Sequence, residues 1–225
     1  QSEFLAWESI SSFGGTGTEV VNDIIVSNSG DYYISGYTSN HFSMGGNCNS
    51  MHNVSTTYLL PFLAKFDGNS NCLWVKNVDT IAGWSTSYYE IGQMDLDSFG
   101  NLYLMFTMEG NTPGLSASFG NAQFTLSNTY GIFLAKINST GNVDWISSRG
   151  EGICPCSVTV DNNDDVAISF STGSNGFGLR IEKLDSTGSL LSTYNLGGAG
   201  SGQNKAYSYG LVTDSSNNIY MAGKY

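Results

Sequence analysis

The chain is predicted to be all-β, built from small antiparallel meanders, and three observations carry that prediction. Charged residues make up only 12% of the 225 positions, while Gly reaches 28, Tyr 13 and Phe 12, a composition that suits short pleated strands and tight turns. Polar clusters of Asp, Asn, Ser and Gly repeatedly precede runs of alternating apolar residues, the pattern of a turn feeding a strand. These pieces also recur in a fixed order along the chain.

The first recurring piece is a turn followed by a strand: "SNSGDYYISGY" (27–37), "DSFGNLYLMFT" (97–107), "DNNDDVAISFS" (161–171) and "DSSNNIYMAGK" (214–224). The second is a strand, a turn and a further strand: "FLAKFDGNSNCLW" (62–74), "FLAKINSTGNVDW" (133–145) and "RIEKLDSTGSLLS" (180–192). Lys65 and Lys136 stand equally far from Trp74 and Trp145, and Lys183 reaches Ser192 at the same offset. The third piece, "FGGTG" (13–17) and "LGGAG" (196–200), has the glycines that a sharp passage between sheets needs.

One unit therefore reads as strand a ("YYEIGQMDL"), strand b ("NLYLMFTM"), strand c ("GIFLAKI") and strand d ("NVDWISS"). Within strand b, Leu102, Leu104 and Phe106 fall on one face, with Tyr103 and Met105 on the other. Two apolar faces imply a sheet covered on both sides. Trp7, Trp74 and Trp145 are expected to fill the space between sheets. The turn before strand b passes through Gly30, Gly100, Asp164 and Asn217, at steps of 70, 64 and 53 residues. Four short strands at such a period predict a β-propeller of four-stranded antiparallel blades.

The units resemble the bacterial SBBP-type β-propeller repeats, with a Gly-Gly-x-Gly entry, then "D-x-x-G-N-x-Y-x-x-G", then "F-x-x-K-x-D-x-x-G-x-x-x-W". The third unit departs most, since "DDVAISF" lacks both Gly and Tyr and Ser192 stands where Trp is expected. The resemblance implies one exported, noncatalytic domain over 1–225, with a lone outer strand in 1–12 and units 13–78, 79–149, 150–196 and 197–225. Fifteen strands are expected, an incomplete ring that is either part of a longer chain or closed by a partner.

The formal charge of −11 repels nucleic acid and anionic lipid, and no run of eighteen apolar residues is present to insert into a bilayer as a helix. A start at Gln1 suits a mature exported chain, so an extracellular or cell-surface location is expected. In that setting the four cysteines favour bridges, Cys48–Cys72 first and the tighter Cys154–Cys156 as a possible second.

Strand parity gathers the long connections 38–61, 79–88 and 107–131 on one rim, where binding residues concentrate on rigid scaffolds. That rim carries His41, Phe42, His52, Tyr58, Trp84, Tyr88, Phe119 and Tyr130, with Tyr37 and Phe124, as candidates for stacking on glycans or for adhesive contact. The competing reading has the same rings plugging loops against the sheets beneath.

His41, Cys48 and His52 offer three zinc ligands without a fourth, and a bridge at Cys48 would remove the thiolate. The acidic turns 161–165 and 214–218 offer oxygens suited to Ca²⁺ but lack the spaced ligands of an EF-hand. Neither glycine run ends as a phosphate loop does. With two histidines and no "GxSxG" elbow, nucleophilic catalysis has little material. No resident cofactor is expected.

The function expected is adhesion or ligand and glycan recognition at a bacterial surface, with other domains of a longer parent chain or surface proteins as partners. A carbohydrate-active propeller enzyme using paired carboxylates is the first alternative. A structural spacer or assembly segment is the second. The triplets "NVS" (53–55) and "NST" (138–140), and "DTI" (79–81) and "DST" (185–187), are candidate glycosylation sites.

Overall fold

The structure is a computed structural model that describes residues 14–15, 17–39, 42–44, 48, 59–80, 89–110, 112–172, 178–196 and 206–224. Among them there are eighteen strands and no helix. The first, β1 (Gly14–Gly15), is followed by β2 (Glu19–Val26) and β3 (Tyr32–Thr38). The short β4 (Phe42–Ser43) pairs back with β1, and β5 (Leu60–Phe66) and β6 (Cys72–Thr80) complete a first meander. β7 (Tyr89–Leu96) and β8 (Leu102–Glu109) begin a second, which is interrupted by the hairpin β9 (Ser116–Phe119) and β10 (Ala122–Thr125). It resumes in β11 (Tyr130–Ile137) and β12 (Val143–Gly150). The third sheet is β13 (Gly152–Val160), β14 (Val166–Thr172), β15 (Gly178–Leu184) and β16 (Leu190–Leu196). β17 (Tyr207–Thr213) and β18 (Ile219–Lys224) form a fourth, two-stranded sheet.

All pairing is antiparallel, in the meander order expected of the repeated pieces. One departure stands out. Residues 107–131 are not an open loop, because β9 pairs with β6 through Val78–Phe119, Asp79–Ser118 and Thr80–Ala117. The hairpin thus widens the first sheet to six strands, and a unit boundary at 78/79 cuts across hydrogen-bonded structure. The expected outer strand in 1–12 lies outside the described residues.

Among the described residues, seven turns share one construction. In each, the first residue's N–H bonds the carbonyl four residues on, and the N–H of the fourth residue bonds the carbonyl of the first, as in Asp97–Asn101 and Asp185–Ser189. Six of the seven begin with Asp or Asn, whose side-chain oxygen accepts the N–H groups two and four residues ahead, as Asp67 does from Asn69 and Asn71. The remaining turn begins at Ser27. The fourth residue of each sits at positive φ, where Gly, Asn and Asp are least strained: Gly30, Gly100, Gly141 and Gly188, but also Ser70, Asp164 and Asn217. The "D-x-x-G" motif is thus a hairpin turn with a glycine bulge.

Successive sheets meet along their first strands, β2 against β7, β7 against β13 and β13 against β17. Polar side chains lock the first two of these contacts. Asp23 on β2 accepts the N–H of Met94, the first paired residue past the β7 bulge, at 2.8 Å, and Asp95 on β7 accepts the N–H of Val160 at 2.7 Å. Burial raises the pKa of both carboxyls above the usual range.

The core follows strand parity. Leu102, Leu104 and Phe106 of β8, with Phe133 and Ala135 of β11, pack toward the first sheet. Tyr103 and Met105, with Ile132 and Leu134, pack toward the third. The second sheet is therefore apolar on both sides, as the sequence predicts. The far face of the first sheet buries Ile34, Phe62, Ala64 and Phe66 beneath Met44 and Cys48. A Cys48–Cys72 disulfide pins that cover across a separation of 24 residues.

Candidate functional site

The turns that precede strands β3, β8, β14 and β18 lie at one end of the sheets, and three of them are stitched together. Ser98 donates its backbone N–H and its hydroxyl to the two carboxylate oxygens of Asp164, at 2.7 and 2.8 Å. Asn162 donates its N–H and its side-chain amide to Oδ1 of Asn217, at 3.1 and 3.0 Å. In both cases the second residue of one turn reaches the fourth residue of the next. Asp164 and Asn217 therefore occupy positive-φ positions where glycine would be less strained, because only a side chain makes the link.

At the first junction the fourth residue is Gly100, which has no side chain to offer. A cleft of about 560 Å³ lies at this rim, with Asn28 and Ser29 on one wall, Asp95, Ser98 and Phe99 in the middle, and Asp161 and Asn162 beyond. The Phe99 ring stands 77% exposed at the tip of its turn.

The carboxylates of the cleft are all engaged. Asp97 is buried, accepts the N–H groups of Phe99 and Asn101, and pairs with Lys136 at 3.6 Å. Asp161 pairs with Lys183 at 2.8 Å; burial opposes its ionisation, but Lys183 and two backbone donors outweigh that and hold its pKa below the usual range. Asp95 accepts Leu96 N–H on one oxygen and Val160 N–H on the other. Asp164 is held by Ser98. A glycosidase pair needs one carboxyl free to give a proton and another free to attack or activate water. All four are hydrogen-bonded or ion-paired to the scaffold. The cleft also holds the Phe99 ring and the polar groups of Asn28 and Ser29, in an acidic field, a set that can bind and orient a ligand.

Of the rim residues predicted from the sequence, Phe119 is 1% exposed and packs edge-on against Phe106. It belongs to the core because its strand joins the first sheet, so it presents no binding surface. Phe124 is likewise buried, in contact with Phe106 and Phe133. Tyr130 is half-buried opposite Glu109, and the hydrogen bond to that carboxylate raises its pKa. His41, His52, Tyr58, Trp84, Tyr88 and the side chain of Phe42 lie outside the described residues. Of the three zinc candidates, Cys48 is in the disulfide. Cys156 is disulfide-bonded too, while the Cys154 side chain lies outside the described ones. The oxygens considered for Ca²⁺ at Asp161 and Asp214 accept backbone N–H groups of their own turns. No group of three or more metal-binding side chains occurs among the described residues.

One constellation is legible in the repeats but not as a unit. Lys65 reaches across Tyr33, pairs with Asp31 at 3.0 Å and donates to the Ser139 carbonyl of the next sheet's turn. Lys136 does the same over Tyr103 with Asp97 and the Ser186 carbonyl. Trp74 and Trp145 close each stack, 5.9 and 6.0 Å from their tyrosine rings. These residues fasten one sheet to the next.

The chain matches no protein-family model and no curated protein.

Proposed function

We propose that the chain is a noncatalytic recognition module working outside the cell, its sheets arranged as blades of an SBBP-type β-propeller, and that it holds a neutral or cationic glycan in the cleft beside Phe99. The blade reading is supported by the radial order of contacts, first strand on first strand through four successive sheets. The disulfide is compatible with an oxidising, extracellular setting.

The recognition reading rests on one observation: an exposed aromatic ring beside a polar cleft whose carboxylates are already bound to the scaffold. Sugars stack on such rings and exchange hydrogen bonds with Asn and Ser. Four acidic side chains around the cleft disfavour sulfated or sialylated ligands. The candidate surface thus moves from the rim of long loops to the rim of tight turns.

The test is a glycan array with the whole chain and a Phe99→Ala variant. Retention of neutral glycans, weakened about tenfold or more by the variant, is the expected result, in line with loss of one stacked aromatic. Retention unaffected by the variant, or no retention of any glycan, rejects the reading.

A further inference from the structure

At the rim of tight turns the chain makes one contact twice and leaves it unmade once. The second residue of a turn reaches the fourth residue of the next, Ser98 to Asp164 and Asn162 to Asn217. Between the first and second sheets the same two positions are Asn28 and Gly100, and both line the Phe99 cleft. We infer that the cleft takes a glycan bearing an N-acetylated amino sugar, whose acetamido oxygen accepts the backbone N–H and the side-chain amide of Asn28 over Gly100, a step that rests on reading this cleft as a glycan site.

Asn28 supplies the donors. Its turn, Ser27–Asp31, has the construction of the others, with the Ser27 N–H on the Asp31 carbonyl at 2.8 Å and the Gly30 N–H on the Ser27 carbonyl at 3.0 Å. Asn28 therefore stands where Ser98 and Asn162 stand in their turns. It is exposed, and no hydrogen bond among the described residues uses its N–H or its amide. Ser98 and Asn162 commit both groups to a neighbour, whereas Asn28 has both to offer.

Gly100 supplies the room. Its φ of +79° is in the left-handed region shared by Asp164 and Asn217. A Cβ built on Gly100 meets nothing within 4 Å, so the place where those two residues carry an acceptor is open here. Phe99, with its exposed ring, is the residue just before it.

The other two junctions match each donor with its acceptor. Ser98 at the second position faces a carboxylate. Asn162 faces an amide carbonyl, Oδ1 of Asn217, which takes both of its N–H groups at 3.1 and 3.0 Å. Asn28 repeats Asn162, so an amide carbonyl is the acceptor that fits. On a sugar that group is the acetamido substituent, whose oxygen has two lone pairs for two donors and carries no charge. A carboxylate sugar would instead bring a further negative charge beside Asp95, Asp97 and Asp161. With the carbonyl fixed at Asn28, the sugar ring has Phe99 to stack on.

The test compares binding of the intact protein to chito- and cello-oligosaccharides of equal length, which differ in carrying acetamido or hydroxyl groups. The chito form is expected to bind about tenfold more tightly, the worth of two neutral hydrogen bonds. Gly100→Asn, which puts an amide carbonyl of the protein's own over the site, is expected to erase that preference, and Asn28→Ala to reduce it about threefold or more. Gly30→Asn makes the same change at φ of +85°, also in open space, and is expected to leave the preference intact. Unfolding midpoints read the geometry without a ligand. Gly100→Asn is expected to be the more stable of the two asparagine variants and to lose that advantage when combined with Asn28→Ala.

Equal or reversed binding of the two sugars, lost in Phe99→Ala, overturns the acetamido assignment and leaves a glycan site standing. Retention of no glycan rejects the site and the assignment together. An acetamido preference unmoved by Gly100→Asn, or equal midpoints for the two asparagine variants, overturns the role of Asn28 and Gly100.

Discussion

A Cβ placed on Gly141 would stand 2.8 Å from the indole of Trp74 in the preceding sheet, so these two residues can hold their positions only while position 141 has no side chain. The same relation links Gly188 to Trp145, at 3.2 Å. The Gly and Trp of the repeated "G-x-x-x-W" thus act in different pairs from those the motif suggests. Each tryptophan covers the next unit's glycine, not its own.

Substitution of three turn glycines is therefore expected to be graded. Gly30 has φ of +85° and nothing within 4 Å of an added Cβ, so Gly30→Ala costs only the left-handed backbone, about 1 kcal/mol. Gly188→Ala adds a contact that a few tenths of an ångström would relieve. Gly141→Ala adds a clash with a fixed ring, for a total of roughly 2–4 kcal/mol. Urea titrations of the three variants should rank them in that order, and an equal loss at all three would remove the packing role of Trp74.

Asp164 tests whether the stitch between turns outweighs its backbone strain. Asp164→Ala keeps a side chain at positive φ and loses both bonds from Ser98, whereas Asp164→Gly loses the bonds but relieves the strain. The alanine variant is expected to be the less stable by about 1 kcal/mol, measured by chemical unfolding. Ser98→Ala removes one of the two bonds and should lie closer to the parent protein.

Acid should weaken the turns. The side-chain and backbone hydrogen bonds from Asn71, Thr187 and Asn218 lower the pKa of Asp67, Asp185 and Asp214, the last to about 2. A carboxyl whose folded pKa is lowered binds fewer protons folded than unfolded. Its stabilisation is thus present above 3.8 and lost as pH falls through the folded value. Asp23 and Asp95 run the other way: with pKa raised by burial, their contribution is present below 3.8 and lost as pH rises through their folded values. Unfolding midpoints measured against pH should decline as pH drops from 3.8 toward about 2. In Asp23→Asn the decline on the neutral side should be shallower, because a buried charge is gone while an acceptor for Met94 remains.

Opening the Cys48–Cys72 bridge is expected to cost roughly 3 kcal/mol, the chain-entropy value for a loop of this length. In Cys48→Ala the loss should be concentrated in the first sheet, since the cover over Phe62 and Phe66 is what the bridge retains. Amide exchange in β5 and β6 reads this directly, and faster exchange spread evenly over all four sheets would contradict it.

Much of this architecture was legible in the residue order. Local chemistry identifies most of the turns, because Asp or Asn at the first position and Gly, Asn or Asp at the fourth satisfy a hairpin's needs within five residues. Parity alone separates Leu102, Leu104 and Phe106 from Tyr103 and Met105. The Cys48–Cys72 pairing also follows from a loop cysteine and a strand-end cysteine.

Relationships between distant segments needed the tertiary structure. Alternation marks 116–119 as able to form a strand, but does not name its neighbour, and pairing with Val78–Thr80 turned a supposed binding loop into sheet and buried Phe119. The bond from Ser98 to Asp164 spans 66 residues, so nothing near either residue announces it. The cleft beside Phe99 is bordered by turn residues from three successive sheets, such as Ser29, Ser98 and Asn162, which only the stacking of those sheets brings together. Periodicity and turn chemistry act over a few residues and so are written in the sequence. Which surfaces end covered, stitched or open depends on how whole sheets stack, and packing is decided only when the distant parts meet.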